Sequence, residues 1–311
     1  MLKVSVIGGL LALALGTLRA EEKRFVFERP LMATRFTVTC HGADEAVARK
    51  AAEEAFAAAA EVNRIASDYL TDSELMRLPT GQATKVSPVF AELLAASFQF
   101  AKATDGAFDP TLGPLTKLWR ESRRQHRLPA ADDLAKAREA SGWQHVTWDT
   151  SASTILLTKP GMQLDLGGIA KGFAADRMLA VMTKAGFPRT CIAAGGDLRL
   201  GDPPPGKTGW RVGLQTFDED QPEEVVELVH CAVSTSGDLH QFAEIDGKHY
   251  SHILDPATGL GLTERIAVSV IAPTATTSDA LATAACVAGA EKAEAVALKG
   301  GATRVIVRTT R

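Results

Sequence analysis

Alternating apolar and polar residues predict the first strands of the chain. Between positions 24 and 40, Phe36, Val38 and Cys40 alternate with polar residues, which indicates two strands broken at Pro30. The polar stretch Trp148–Ser151 separates two β-rich runs and predicts a hairpin turn. Further strands are predicted at Gln163–Leu166, Thr190–Ala194, Trp210–Gln215, Val225–Ala232, Ile266–Ile271 and Thr303–Val307.

Helical spacing of apolar residues marks four longer segments. Glu45–Ile65 is rich in alanine and has apolar residues near a 3.6-residue period. Ser87 is suited to cap a helix that begins with Pro88 and ends near Gly106. Two more helices are predicted at Ile169–Ala185 and Ser278–Gly289, each directly after a strand. Because strands also follow one another without a helix between them, the pattern predicts an α+β fold with mixed or antiparallel sheets and packed helices.

The composition is that of an ordinary globular protein. The 311 residues are 46% apolar and 23% charged, with a net charge of −3. This composition excludes intrinsic disorder, collagen and coiled coil. With a pI near 6.2, and with two Tyr and four Trp, the chain lacks the basic and aromatic surfaces of nucleic-acid-binding proteins. We therefore expect no nucleic-acid partner.

Residues 1–20 resemble a secretory signal peptide. Lys3 supplies a positive charge, Val4–Leu15 is an uncharged and mostly apolar run, and Gly16–Ala20 suits a cleavage region. The run is shorter than the roughly 20 apolar residues that span a bilayer. We predict cleavage near Ala20, a mature domain over 21–311 and a periplasmic location. The alternatives are an uncleaved anchor or a buried N-terminal helix.

Cysteine spacing does not indicate a metal site. The four cysteines are far apart and form no CxxC pair, and none lies near the predicted cleavage site, so lipid attachment there is not available. Four cysteines allow three disulfide pairings, between which sequence cannot choose. Buried free thiols are the simpler interpretation, because all four lie in apolar stretches, namely Cys40, Cys191, Cys231 and Cys286.

A double glycine precedes one predicted helix. Gly167-Gly168 follows Leu164–Leu166, and Lys171 lies in the first helical turn. Glycines let a ligand approach the backbone, and a lysine at this helix end favours an anionic partner. The motif matches neither GxxxxGK[ST] nor GxGxxG, so a tight packing turn is the alternative.

A second motif pairs a carboxylate with a hydroxyl. Asp279 and Thr283 are four residues apart, so they share a helix face, and we expect Asp279 in the first turn. Such hard oxygen donors suit Mg²⁺ held together with phosphate oxygens. Alternatively, Ser278 caps the helix, Asp279 complements its dipole and Thr283 packs.

A third motif contains a histidine and an aspartate. His252 and Asp255 lead into a Pro/Gly turn and could meet at the rim of one pocket. Histidine can carry a proton near neutral pH, although a purely structural role is equally compatible with the pattern.

Taken in order, the motifs resemble those of the ApbE-type FAD:protein FMN transferases over nearly the whole mature chain. One departure is Ala194, where many relatives carry Asn before the glycine pair. The matching segments are Met32–Thr34, Ser67–Tyr69 with Ser73–Leu75, Thr104–Leu115, Leu164–Asp176, Ala194–Asp197, Thr235–Gly237, His252–Gly259 and Asp279–Thr283.

The resemblance implies a Mg²⁺-dependent enzyme that cleaves the FAD pyrophosphate. FMN would pass to a Thr or Ser hydroxyl of an exported or membrane flavoprotein domain, of the kind found in membrane redox complexes, and AMP would leave. The implied structure is a single ApbE-like domain over 21–311, with a flavin cleft between two subdomains.

The resemblance also implies roles for individual residues. Gly168, Asp279 and Thr283 would hold the metal, and His252, Asp255 and Lys171 would be catalytic. FAD would be contacted by Met32, Tyr69, Ala107, Phe108, Asp109, Asp165, Lys171, His252 and Ile253.

Two other functions remain open. A periplasmic FAD pyrophosphatase would use the same site with water as the nucleophile and release FMN and AMP. A non-catalytic flavin-binding carrier is the second alternative. The metal-binding pair Asp279 and Thr283 argues against a carrier, because flavin binding alone does not need a metal site.

Overall fold

The computed structural model describes residues 22–214, 224–238 and 241–309. The predicted signal peptide, residues 1–20, lies outside the described residues. The helices are α1 (Glu45–Ala66), α2 (Pro88–Ala103), α3 (Gly113–Gln125), α4 (Ala131–Glu139), α5 (Ala170–Lys184), α6 (Ala275–Ala288) and α7 (Ala293–Lys299). The strands are β1 (Lys23–Leu31), β2 (Thr34–Gly42), β3 (Thr84–Lys85), β4 (Val146–Asp149), β5 (Thr154–Leu157), β6 (Thr190–Ala194), β7 (Asp197–Leu200), β8 (Trp210–Leu214), β9 (Glu224–Leu228), β10 (Ala232–Gly237), β11 (Phe242–Ile245), β12 (Lys248–Ser251), β13 (Ile266–Ala272) and β14 (Arg304–Thr309).

A seven-stranded sheet forms the centre of the fold. Its strands lie in the order β1-β2-β6-β7-β10-β13-β14, and each neighbouring pair is antiparallel. Three small antiparallel sheets surround it, formed by β3-β5-β4, β8-β9 and β11-β12. The predicted α+β class with packed helices is confirmed. Within the described residues, none of the helices has the length and apolar character needed to cross a membrane.

The central sheet is covered on both faces. Helices α1, α5 and α6 form one layer, and their apolar side chains share a core with Val268 and Val270 of β13. The β8–β9 hairpin packs with Ile271, whose side chain points to the opposite face. All seven residues of β13 are therefore buried, which explains why six of them are apolar. The seventh, Ser269, has its hydroxyl 2.8 Å from that of Thr235.

Glycine allows α5 and α6 to approach very closely. A Cβ atom on Gly172 of α5 would lie 2.1 Å from the carbonyl oxygen of Ala275 in α6. The Gly172 amide donates a hydrogen bond to the Asp279 carboxylate at 3.0 Å. The site motifs on the two helices are thus brought together by their packing.

A smaller apolar cluster lies beside the main core. It joins α3 and α4 to the β11–β12 hairpin and includes Leu115, Trp119 and Tyr250. The Trp119 ring contacts Tyr250 edge-on, and its Nε1 donates a hydrogen bond to the carbonyl of Ser251 at 3.0 Å. We call this group of elements the small subdomain.

The first strand break lies two residues after the predicted one. Pro30 is inside β1, opposite Arg35, and the chain reverses at Met32-Ala33. Both turn residues have a positive φ, 50° and 58°, as a type I′ hairpin requires. Proline is tolerated here because β1 is an edge strand of the sheet.

Two predicted strands were wrong in extent. Gln163–Leu166 forms a single β-bridge, to Leu112, and no longer strand pairing. The Asp165 amide donates to the Pro110 carbonyl and the Gly113 amide donates to the Gln163 carbonyl. The pairing does not extend because Pro110 has no amide hydrogen to donate. The predicted strand Val225–Ala232 is interrupted near His230, which has φ 52°. There the chain leaves the sheet of β8 and β9 and enters the central sheet as β10.

The four predicted helices agree with the structure within three residues at each end, and the largest difference at a start is that of α6. Helix α6 begins three residues early, capped by the Thr274 side chain, so Asp279 lies in its second turn rather than its first. Ser278 is therefore inside the helix instead of capping it. Helices α3, α4 and α7 were not predicted.

The cysteines are free thiols, and Cys40 and Cys286 are buried. Burial raises the pKa of Cys40 to about 11 and the pKa of Cys286 to about 12.

Replacing Gly172 by Ala tests the close contact between α5 and α6. We expect the added methyl group to push the helices apart and to lower the free energy of unfolding by about 2–3 kcal/mol. The exposed α5 residue Thr183, changed to Ala, should alter it by less than about 0.5 kcal/mol. Urea denaturation measures both, and equal stabilities of the two variants would contradict the tight packing.

Candidate active site

A cleft of about 440 Å³ lies between the main core and the small subdomain. Phe108 and Ile253 reach it from the main core, and Trp119 and Leu254 reach it from the small subdomain. The cleft brings together most of the residues that the motifs singled out. Those lining it are Tyr69, Ala107, Phe108, Asp109, Asp165, Gly168, Lys171, His252, Ile253, Asp279 and Thr283.

The structure does not bring Met32 or Asp255 into the cleft wall. Met32 forms the β1–β2 turn and packs partly against the main core. The Asp255 carboxylate accepts a hydrogen bond from the amide of Ala257 at 2.8 Å and so holds the turn after His252. His252 and Asp255 therefore do not share a pocket rim.

Lys171 is held between two buried carboxylates. It is the second residue of α5, and its Nζ lies 3.1 Å from Asp197 and 3.3 Å from Asp279. Burial alone would lower the pKa of Lys171, but the two carboxylates outweigh it and raise this pKa. Lys171 is thus a permanent cation that ties α5 to β7 and α6.

Asp197 was missed as a site residue, although its segment was recognised. It begins β7 directly after the Gly195-Gly196 turn, and both glycines have a positive φ, 63° and 106°. Burial and the negative charge of Asp279 raise the pKa of Asp197 to about 6, against the attraction of Lys171. An aspartate directly after a glycine pair was the available signal in the sequence.

Oxygen donors gather beside this ionic cluster. Thr283 lies one turn after Asp279 on α6, and its Oγ1 is 3.4 Å from the hydroxyl of Ser236. A Cβ atom on Gly168 would lie 3.0 Å from the same Oγ1, so the backbone of Gly168 is close to Thr283. Within the described residues no group of three His, Cys, Asp or Glu side chains gathers as it would for zinc. The donors are hard oxygens, which fit Mg²⁺ shared with a phosphate.

Among the described residues, His252 has a hydrogen-bond partner at only one of its two ring nitrogens. Its Nδ1 lies 3.1 Å from the carbonyl oxygen of Gln241, which can only accept, so Nδ1 carries the proton in the neutral ring. Burial lowers the pKa of His252 from its ordinary value of 6.5, and the positive charges of Arg123 and Lys171 add to this lowering. At neutral pH the ring is therefore neutral, with a lone pair on Nε2.

Asp109 and Asp165 use their carboxylates to organise the cleft wall. Asp109 accepts hydrogen bonds from the amide and hydroxyl of Thr111, at 2.8 and 2.6 Å, and from the amide of Trp143 at 3.1 Å. Asp165 accepts from Thr116 at 2.7 Å and from the Gly167 amide at 2.8 Å. Asp165 thereby holds the double-glycine turn against α3.

Two arginines on α3 also line the cleft and were missed. The Arg120 guanidinium forms an ion pair with Asp68 and lies 4.2 Å from the centre of the Tyr69 ring. Arg123 lies one turn further along the same helix. The run of basic residues in Arg120–Arg124 was a visible signal, but without a predicted helix it could not be assigned to the cleft.

The chemistry of the cleft follows from these groups. It combines apolar surface from Phe108 and Ile253, basic side chains, hard oxygen donors and a neutral histidine. This arrangement suits a ligand that carries both a flat apolar part and phosphate groups, with a proton acceptor beside it.

Comparison with known proteins supports this interpretation. The model of the ApbE family matches residues 32–307. The FAD:protein FMN transferase of Escherichia coli (strain K12) is 33% identical over 249 residues, which are 77% of this chain and 71% of that protein. The FAD:protein FMN transferase of Haemophilus influenzae is 32% identical over 320 residues, covering 98% and 92%.

Solved structures are similar over almost the whole chain. The apo form of the Pseudomonas stutzeri flavinyl transferase ApbE has 30% identity and a TM-score of 0.80, covering 94% of this chain and 96% of that one. The ApbE protein of Thermotoga maritima has 28% identity and a TM-score of 0.83, covering 93% and 97%.

The surroundings of His252 predict that its pKa is lowered, and this can be measured. We expect its pKa to lie below 6.5, because the buried ring faces two cationic side chains. Heteronuclear NMR through pH 5–8 reads this titration, with His252→Gln identifying its signal. A midpoint at or above 6.5 would contradict the geometry described for the ring.

Proposed function

This chain belongs to the ApbE family, and on that premise we propose that it transfers FMN from FAD to a protein. The observation that carries the proposal is the cleft itself, in which the ionic cluster of Lys171, the oxygen donors of Asp279 and Thr283, and the imidazole of His252 lie together. Relatives that carry the name FAD:protein FMN transferase cover most of the chain.

The proposed reaction breaks the phosphoanhydride bond of FAD and forms a phosphoester bond to the acceptor protein. The oxygen of a Thr or Ser hydroxyl on the acceptor protein bonds to the FMN phosphorus of FAD. The bond from that phosphorus to the oxygen bridging the two phosphates breaks, and AMP leaves with the bridging oxygen. The hydroxyl proton is taken up by a base in the cleft. Phosphoryl-type transfer of this kind depends mainly on positioning and charge stabilisation.

We propose His252 as the residue that takes the proton. Its Nδ1 is engaged by Gln241, so Nε2 is the nitrogen available to an acceptor hydroxyl. Its lowered pKa keeps the ring unprotonated near neutral pH.

Mg²⁺ is the proposed metal, with Asp279, Thr283 and the Gly168 carbonyl as its protein ligands. When bound, it would supply positive charge to the pyrophosphate. Lys171 adds a fixed positive charge beside these ligands and holds the Asp279 carboxylate in place at 3.3 Å. Phe108 and Ile253 supply apolar surface against which a flavin ring can pack.

The acceptor and the location are proposals that rest on the sequence pattern. Residues 1–20 favour export, so the acceptor would be an exported domain or an outward-facing domain of a membrane redox protein. The acceptor would present its Thr or Ser hydroxyl at the open side of the cleft.

Intact-protein mass spectrometry tests the transferase directly. The full chain is incubated with FAD, Mg²⁺ and a candidate acceptor domain, and we expect the acceptor to gain the mass of one FMN residue. The gain should disappear when the acceptor Thr is replaced by Ala. Free FMN and AMP without a mass gain would instead indicate the pyrophosphatase, and FAD binding without products would indicate the carrier.

Replacing Asp279 by Ala tests the metal ligands. We expect metal-dependent turnover to be abolished, because the only carboxylate among the proposed ligands is lost. Thr283→Ser should keep most activity since the hydroxyl remains, whereas Thr283→Val should lose it. Thermal unfolding of each variant checks the fold. An Asp279→Ala protein that retains turnover with an unchanged Mg²⁺ requirement would contradict the assignment.

A further inference from the structure

Helix α3 presents one face to the cleft. Thr116, Trp119, Arg120 and Arg123 all line it, at the three- and four-residue spacing of a single helical face. Trp119 anchors this face through its hydrogen bond to Ser251, so the two arginines stand on a fixed element rather than on a loop.

The cations of the cleft differ in how their charge is balanced. Lys171 has two carboxylate partners, Asp197 and Asp279. Arg120 has Asp68 as a partner and stacks on Tyr69. Arg123 has no carboxylate within ion-pair distance in the part of the chain that the structure describes.

Arg123 also leaves a hydrogen-bonding group unused. Its Nε is buried and has no partner among the described residues. Leaving a buried donor of a charged side chain without a hydrogen bond costs stability, so a ligand that accepts this hydrogen bond would recover part of that cost. The neighbouring Arg124 makes the contrast clear, because it is exposed and pairs with Glu121 on the same helix.

We propose that Arg123 binds a phosphate group of the dinucleotide substrate on the α3 wall of the cleft. The planar guanidinium donates two parallel hydrogen bonds, a geometry that matches phosphate oxygens. This inference rests on the proposed function for the identity of the substrate. Arg123 lies outside all of the matching family segments in this chain, so it would be a positive contact in addition to Lys171.

Equilibrium binding tests the proposal without requiring turnover. FAD, FMN, AMP and riboflavin are titrated into the full chain, its Arg123→Gln variant and the matched control Arg124→Gln. We expect Arg123→Gln to weaken FAD binding by about tenfold or more, as loss of a charge-assisted hydrogen bond does. Riboflavin, which has no phosphate, should bind the variant within twofold of the wild type, and Arg124→Gln should change nothing.

The other ligands identify the phosphate. A loss of affinity for FMN assigns Arg123 to the flavin half of the substrate, and a loss for AMP assigns it to the adenylate half. Arg123→Lys keeps the positive charge but not the planar guanidinium, and it should recover part of the affinity for FAD. Such a recovery would show that the loss in the Gln variant is not caused by a folding defect.

Unchanged FAD binding in Arg123→Gln would overturn the proposal, and so would an equal weakening of FAD and riboflavin. A wild-type chain that binds no FAD would overturn it as well. Failure of the proposed function is a separate result. A chain that binds FAD but transfers no FMN to an acceptor would contradict the transferase, and the binding titrations would still show whether Arg123 contacts the phosphate.

Discussion

The fold depends on one buried ionic contact between three elements. Lys171 at the start of α5 meets Asp197 of β7 and Asp279 of α6, and the Gly172 amide completes the hydrogen bonding of Asp279. Buried charges are tolerated only when they are paired. The contact is therefore satisfied only when the sheet and both helices are docked. A glycine at position 172 is what lets the helices come near enough.

This contact also explains why the site lies where it does. Thr283 follows Asp279 by one helical turn and Gly168 precedes Lys171 by three residues. The packing of α5 against α6 therefore also positions these oxygen donors in the cleft. The opposite wall comes from a different core, formed by α3, α4 and β11–β12. A ligand between them contacts two separately packed units, and the ionic contact belongs to the main one.

Much of this arrangement was accessible from the sequence. Helices α1 and α5 and strands β6, β8, β13 and β14 have clear periodic patterns, and local patterns specify them. The turn at Met32-Ala33 was not accessible, since neither residue is typical of positive φ and tertiary pairing imposes the conformation. Helix α3 was also missed, although Pro114 at its start and the helical spacing of Leu115, Trp119 and Ser122 were local signals. Its place in the cleft wall was not accessible, because it depends on Trp119 meeting Ser251, 132 residues away along the chain.

The site, like the fold, could be predicted only where local sequence patterns specify it. Site residues that belong to motifs could be predicted, and eleven of those predicted lie in the cleft wall. Arg120 and Arg123 belong to no motif, and their role in the wall depends on α3 docking against the β11–β12 hairpin. Asp255 is the converse case: it belongs to a motif, but its carboxylate accepts a hydrogen bond within a turn and does not line the cleft.

The buried thiols have a consequence for how the chain would mature in an oxidising compartment. With pKa values of about 11 and 12, Cys40 and Cys286 hold almost no thiolate at neutral pH once folded. Oxidants and alkylating reagents therefore encounter reactive sulfur chiefly in the unfolded chain. Folding therefore protects these cysteines from disulfide exchange. The rate at which a thiol reagent labels them in the native protein would report how often the structure opens globally.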